Sequence, residues 1–438
     1  MKKVVFDTEH GVALLPAIKA AVTVDQPKRY TSPKIKDEGS GKMALWGDNN
    51  DFPQQVILDV RKDPEIGTLL DKQARLLYSG GLVFGRIKVL DGGKEVLEAA
   101  SPEEQKNINT WLRKSNINRY IYEGARDLYW FYNVFPEIVL SNDRNTIAQI
   151  CVQPAEICRW EKMDNNGIVN NCFINANFPD ETETGKHTKK VPVLDPYYDA
   201  AGTLRAIKSG TNFIYPLSVP TAGSTYYQLA DWNSIRESGW LAVSQAIPKF
   251  KAQLMENQLS IKYHVEISNM YWPIKFPDWD KKSTAEKKTA QNEELKKFND
   301  LMSGVEKAGN SLITAMKTDT ALGKEYSLWK INVIDDKVKD GKYLEDGKDA
   351  SLYKMSSIGL HPALIGTMPN NGLGGAGSNI REAYNLHMLS VRAHQDILLE
   401  PLELIKNYNG WPEDIVFRFR NSFMNTLDAG QETSTTQA

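Results

Sequence analysis

The sequence predicts an α+β fold in which a small second unit interrupts a pair of helices. Three observations predict it. The first 230 residues alternate helical stretches with short runs rich in β-branched and aromatic residues. A compact strand–helix–strand unit, about 263 to 335, then sits between helical patterns at 231–258 and 342–358. A Gly/Pro/Asn loop, 362–377, finally feeds a long helical pattern that runs to about residue 405.

The elements follow in order. Residues 1–45 begin with a short strand-like run, Val4 to Phe6, and pass into a polar stretch around Ser32 to Lys42. In WGDNNDFP (46–53), Asp51 or Asn50 can cap a helix entered through Pro53. A second cap-and-helix unit begins at Asp63-Pro64, and Gly80-Gly81 end it and release a strand, 82–89. Ser101 caps a helix over 102–115, and a helix rich in Tyr and Trp covers 117–131. Strands at 134–140 and 147–152 flank Asn142-Asp143-Arg144-Asn145 as a hairpin, with further strands at 157–162, 168–174 and 206–215. The polar segment 176–196 reads as an insertion or a long hairpin loop. Asp231 caps a helix that reaches about Gln258 with an interruption at Pro248. Short strands at 263–267 and 271–276, a charged helix at 284–302 and strands at 311–316 and 329–334 make up the inserted unit.

The long pattern after the loop starts at Ser378, a good N-cap, and repeats apolar residues at Ile380, Ala383, Tyr384, Met388, Val391, Leu398 and Leu402. Pro401 should kink or end it, because Pro lacks the amide donor and crowds the preceding turn. DIVFRFRN (414–421) alternates as a strand, and the last residues, 428–438, have a disordered composition.

Composition narrows the function. The 438 residues suggest two to four modules, and 41% apolar with 25% charged residues is the balance of a soluble globular protein. A net charge of −2, from 53 basic and 55 acidic residues, argues against a dedicated high-affinity DNA binder. It leaves room for a protein past which nucleic acid slides. Cys151, Cys158 and Cys172 form no CxxC pair and read as buried thiols in a reducing compartment. No run of about 18 apolar residues predicts a membrane span, and MKKVVFDTEHG lacks the form of a signal peptide.

The order of these features resembles the portal proteins of tailed bacteriophages. KFKAQLMENQ (249–258) resembles the end of a first stem helix. FNDLMSGVEKAGNSLIT (298–314) resembles a clip helix and its strand. YLEDGKDASLYKMSSIGLHPALIG (343–366) resembles a second stem helix ending in a hydrophobic-Pro motif. GGAGSNIREAYNLHML (374–389) resembles a tunnel loop and the start of a long helix, and WGDNNDFP with VQPAEICRWEK (152–162) is similar to wing pieces. The resemblance implies a portal-type ring subunit: N-terminal segment 1–45, α/β wing 46–230, helical stem 231–261, small α/β clip 262–335, second stem helix 342–359, tunnel loop 361–377, and a long kinked helix with a return to the wing, 378–421. Residues 422–438 would be a minimal crown or a tail, since only about thirty residues follow the long helix.

The resemblance further implies a homo-oligomeric ring of about twelve subunits at one capsid vertex. The ring would pass double-stranded DNA transiently and without sequence preference. Its partners would be the terminase large subunit, a head-tail adaptor and the major capsid protein. It would work in the virion, and in the host cytoplasm during assembly, with no membrane, no cofactor and no catalytic residue. A DNA channel wants weak contacts, because each neutralised phosphate adds counterion-release affinity. The uncharged loop with Asn370, Asn371, Gly372, Gly374, Gly375, Gly377 and Ser378 suits that, and Lys348 and Lys354 are the candidate stem residues lining the channel. Trp272, Phe276 and Trp279 are candidate docking anchors on the clip, with packing inside the clip as the other role they could serve.

Two further classes compete. Gly372 to Gly377 also satisfies GxGxxG, with Glu400 downstream, but Pro369-Asn370-Asn371 stand where a dinucleotide site needs a strand. Asp7-Thr8-Glu9 resembles the strand of a metal-dependent exonuclease, without the further carboxylates that chemistry requires. His387 and His394 share a helix face seven residues apart, without the i, i+4 spacing of a zinc site. An enzyme built on the glycine loop or the N-terminal carboxylates is one alternative, and another virion structural or adaptor protein is the second.

Overall fold

The computed structural model describes residues 41–90, 93, 95–257, 263–303, 316–319, 324–333, 341–365 and 377–424, together with three short strands before residue 24. The chain is mixed α+β, with several small antiparallel sheets and one long bent helix. It divides into two compact units, Met1–Gln245 with Gly347–Ala438, and Ala246–Asp346.

In the larger unit, β1 (Val5–Asp7), β2 (Val12–Leu15) and β3 (Ala20–Thr23) form an antiparallel meander. α1 (Phe52–Arg61) starts through Pro53, whose missing N–H is harmless in a first turn. α2 (Ile66–Tyr78) is capped by Asp63, which accepts from the amides of Glu65 at 2.9 Å and Ile66 at 3.0 Å. Gly81, at φ +83°, turns the chain into β4 (Leu82–Val89). β4 pairs with β5 (Glu95–Glu98). α3 (Pro102–Lys114) opens on a reciprocal box: the Ser101 hydroxyl accepts from the Glu104 amide, and the Glu104 carboxylate accepts from the Ser101 amide at 2.8 Å. α4 (Ile117–Phe131) buries Ile117, Tyr120, Ile121, Gly124, Ala125 and Leu128, the stripe a 3.6-residue period places on one face.

β6 (Asn133–Leu140) is the central strand and is buried at seven of its eight positions. It pairs with β7 (Ile147–Gln153) as the expected hairpin. β8 (Cys158–Trp160), β9 (Asn171–Ile174) and β10 (Lys189–Pro192) form a second small sheet, the last of these within the segment read as a loop. The strand expected over 206–215 is present only over its last part, as β11 (Asn212–Ile214); α5 (Ala200–Ala206), capped by Asp199, precedes it. β11 and β12 (Leu217–Ser218) occupy the other edge of β6 in two pieces. Pro136 stands opposite the gap between them. Its missing N–H faces that edge, because its own carbonyl accepts there from the Tyr215 amide at 2.9 Å.

A short helix, α6 (Ser234–Glu237), precedes α7 (Trp240–Asn257). The break falls at Gly239, φ +83°, rather than at Pro248, which lies within α7. In the smaller unit, β13 (Tyr263–Ile267) leads to α8 (Tyr271–Lys275), where a strand was expected. Pro273 sits in its first turn, where its missing N–H breaks no helical hydrogen bond. α9 (Thr284–Ser303) is followed by the hairpin β14 (Met316–Asp319) and β15 (Lys324–Ser327) and by β16 (Trp329–Val333), which pairs with β13. An aromatic core holds this unit: Trp272 stacks on Trp279 at 5.5 Å, and Trp329 meets Tyr271 at 5.3 Å and Phe298 at 5.2 Å.

α10 (Gly341–Ile358) returns to the larger unit, followed by α11 (Gly377–Ser390), α12 (Arg392–Asn409) and β17 (Ile415–Phe419). β17 pairs with β4, so the C-terminal strand closes the sheet opened after α2. Gly80 lies against its end: a Cβ there would stand 2.5 Å from the Arg420 carbonyl oxygen. Leu398, Leu402, Leu404, Ile405 and Tyr408 of α12 belong to the same buried cluster as α1, α2, α4 and β6. Among the described residues no helix is long and apolar enough to cross a membrane.

Candidate functional site

Two buried polar sites lie where helices meet in the larger unit. The first is at the root of α7 and α10. Lys354 on α10 is 2% exposed. Its ammonium lies 3.0 Å from Asp63 Oδ2 and donates to Ser244 Oγ of α7 at 2.7 Å. Ser244 Oγ in turn donates to Asp63 Oδ2 at 2.9 Å. Glu65 Oε2 stands 2.7 Å from the same ammonium as an ion pair without hydrogen-bond alignment. Burial acts to raise the Asp63 carboxyl, but the amides of Ile66 and Glu65 and the Lys354 charge outweigh it and hold the group below the usual carboxylate range. Around this cluster Gln245 donates to the Asp59 carbonyl at 3.0 Å, Arg236 pairs with the Asp59 carboxylate at 2.8 Å, and Trp240 packs on Tyr353 at 4.6 Å. Both helices are thus fastened to the α1–α2 segment by groups that leave no donor of Lys354 to spare.

The second site is the bend between α11 and α12. The helical run breaks at Val391, one residue deep: its amide still bonds the His387 carbonyl and its carbonyl still accepts from Gln395, both at 3.0 Å. His387 and His394 flank the break. His394 stacks on Tyr129 at 5.2 Å and meets Tyr132 edge-on at 6.2 Å. His387 Nε2, both ring nitrogens of His394 and Gln73 Oε1 are buried without a hydrogen-bond partner. Burial, with His394 nearby, pushes His387 down to about 4. Burial also lowers His394, against a smaller opposing pull from Asp231. Both imidazoles are therefore neutral at pH 7.

Lys354, expected to line a channel, is instead spent inside the subunit, where its charge is neutralised by Asp63 and Glu65. Lys348 is exposed on α10. Trp272 and Trp279 are buried and stacked, so they pack the smaller unit and are not free anchors; Phe276 stacks on Trp279 at 5.8 Å and is partly exposed. Pro401 neither ends the helix nor marks its break: it is buried inside α12, and the break lies ten residues earlier at Val391. Ser378 lies in the first turn of α11 and does not cap it, because the helix already begins at Gly377. Asn370, Asn371, Gly372, Gly374 and Gly375 lie outside the described residues.

Reading the sequence missed Arg159, whose side chain joins the two stretches WGDNNDFP and VQPAEICRWEK. It is 0% exposed and donates to the Asn50 side chain at 2.5 Å, the Asn50 carbonyl at 2.8 Å and the Cys158 carbonyl at 2.7 Å. Its guanidinium lies over the rings of Trp46 and Phe178. Asn50 is thereby engaged as a clamp on Arg159 and Trp46 rather than as a cap, and Asp51 makes no cap bond either. Among the described residues no three His, Cys, Asp or Glu side chains converge as metal ligands.

No protein-family model and no curated protein matches this sequence. Solved structures do match its fold. A chain from the neck of an empty gene transfer agent (GTA) particle, computed with C6 symmetry, aligns with 90% of this chain and 88% of its own at a TM-score of 0.56 and 12% identity. A chain from the virion of a native GTA particle aligns with 87% of this chain and 86% of its own, at 0.53 and 13%. A chain from the neck of a native GTA particle, computed with C12 symmetry, gives 0.54 and 12% over the same shares. At these identities the likeness establishes a common fold that runs through nearly the whole of both chains.

Proposed function

We propose that this protein is a portal-type ring subunit of a phage-like particle: a structural protein of the neck, through whose centre double-stranded DNA passes. The observation that carries the reading is the fold shared over about nine-tenths of the chain with chains of GTA particles, two of them from necks computed with cyclic symmetry. The order of features in the sequence supports it independently. In this reading α7 and α10 are the stem, Ala246–Asp346 holds the clip that meets terminase and adaptor, and the loop before α11 faces DNA. Lys354 drops out of the channel lining, and exposed Lys348 remains. In this reading the ring is structural and has no catalytic role.

Negative-stain imaging of the purified protein tests the reading. Rings of about twelve subunits with a central hole are expected, as closed cyclic assembly requires. Persistent monomers under all assembly conditions would overturn it. Shortening 370–377 should then leave the rings intact and impair DNA packaging or retention; normal packaging by the shortened protein would remove the loop from the channel.

A further inference from the structure

The seat of the bend is a half-open cavity of about 480 Å³ in the larger unit, within the size range of small-ligand sites. Its lining is one-sided in charge. Asp231 stands at the rim, and no Lys or Arg lines it among the described residues. Gln73 Oε1, a pure acceptor, is unpartnered, and the Gln73 amide nitrogen is already committed to the Ile358 carbonyl at 2.9 Å. His387 Nε2 and the two nitrogens of His394 are unpartnered too, and each neutral imidazole supplies one lone pair beside its one N–H. Tyr129 and Tyr132 present aromatic rings. The C-terminal end of α10, Ser356 to Gly359, contributes the negative end of a helix dipole.

Acceptors, a carboxylate, aromatic faces and a helix C-terminus all favour the same kind of guest. We propose that this cavity binds a small organic ammonium ion, an aliphatic amine whose N–H donors satisfy the orphaned acceptors and whose charge is met by Asp231 and the tyrosine rings. The walls come from α2, α4, the end of α10 and both sides of the Val391 break, so an occupant fixes the bend between α11 and α12. Binding therefore stiffens the connection between the segment that precedes α11 and the core that holds α12.

Calorimetric titration of the assembled protein with 1,4-diaminobutane at pH 7 tests this, with 1,4-butanediol as the neutral probe of the same length. Saturable binding of the diamine is expected, with the diol at least tenfold weaker. Asp231→Asn, an exposed position whose hydrogen-bonding shape is kept, should weaken the diamine about tenfold, while Glu103→Gln, on the exposed start of α3, should leave it unchanged. Diamine protection should also appear as slower amide exchange on both sides of Val391. No saturable binding, equal binding of the diol, or equal losses in Asp231→Asn and Glu103→Gln would overturn the proposal.

Discussion

At the root of α7 and α10 a buried ammonium meets two carboxylates and a hydroxyl, whereas at the bend three buried imidazole nitrogens and an amide oxygen meet no hydrogen-bond partner. Both places lie in the larger unit, and both put polar atoms out of reach of water. They answer the desolvation cost differently. The root keeps its charges and compensates each one, which ties three separate chain segments into one arrangement. The bend gives up charge, since burial keeps both histidines neutral, and leaves hydrogen-bonding capacity open. A site of the first kind is costly to disturb and suits an anchor. A site of the second kind can take up a proton or a guest and suits a joint.

The largest effect should come from breaking the anchor. Lys354→Met removes the cation and leaves the Asp63 carboxylate, whose side chain is fully buried, without its charge partner. Removing one member of a buried pair costs about 3–5 kcal/mol. Equilibrium urea denaturation should show that loss, and Asp63→Asn in the same background should recover part of it, because the amide oxygen still caps α2. A loss below about 1 kcal/mol would mean the pair does not lock the root.

At the bend the expected effect is set by pH. His387 titrates at about 4 in the folded chain against an ordinary value of 6.5. Between those values the unfolded chain binds the proton and the folded chain does not, so stability falls as pH falls. The gap corresponds to about 3 kcal/mol across the window. His387→Leu should flatten this component: the difference in unfolding free energy between wild type and variant should shift in the variant's favour from pH 7 to pH 4.5. Parallel pH profiles would show that the imidazole is not held neutral by the seat.

This contrast marks how far the sequence could be read. Helices with strong local signals were legible: the Ser101 box, the Asp63 cap and the apolar stripe of α4 are all short-range patterns, and the β6–β7 hairpin follows its turn residues. The errors fall where tertiary partners decide. Lys354 looked like a surface lysine, yet it sits four residues after Ala350 and four before Ile358, on the stripe α10 buries, and that spacing was the available signal. Arg159 carried none, because its partners lie about a hundred residues away in sequence. The two Trp residues of the smaller unit have the composition of interface anchors and serve as its core, a choice only the neighbours Tyr271, Phe298 and Trp329 determine. His387 and His394 were placed correctly on one face, but the break between them at Val391 has no Gly or Pro to announce it.

The same reasoning explains Pro401 and gives the smallest expected effect. Pro401 deprives the Ile397 carbonyl of its helical donor, and sequence alone turns that into a kink or an end. In the structure α12 continues, and the carbonyl one residue further, Leu398, accepts from the buried Tyr120 hydroxyl of α4 at 3.0 Å. A donor from another helix thus supports the weakened turn. Tyr120→Phe should cost about 1 kcal/mol, the worth of one buried hydrogen bond. In a Pro401→Ala background, where the helix regains its own donor, the same change should cost distinctly less. A double-mutant cycle on unfolding free energies measures the difference. Equal costs in the two backgrounds would mean that Tyr120 supports α12 without regard to the proline, and that α12 passes Pro401 for reasons of packing alone.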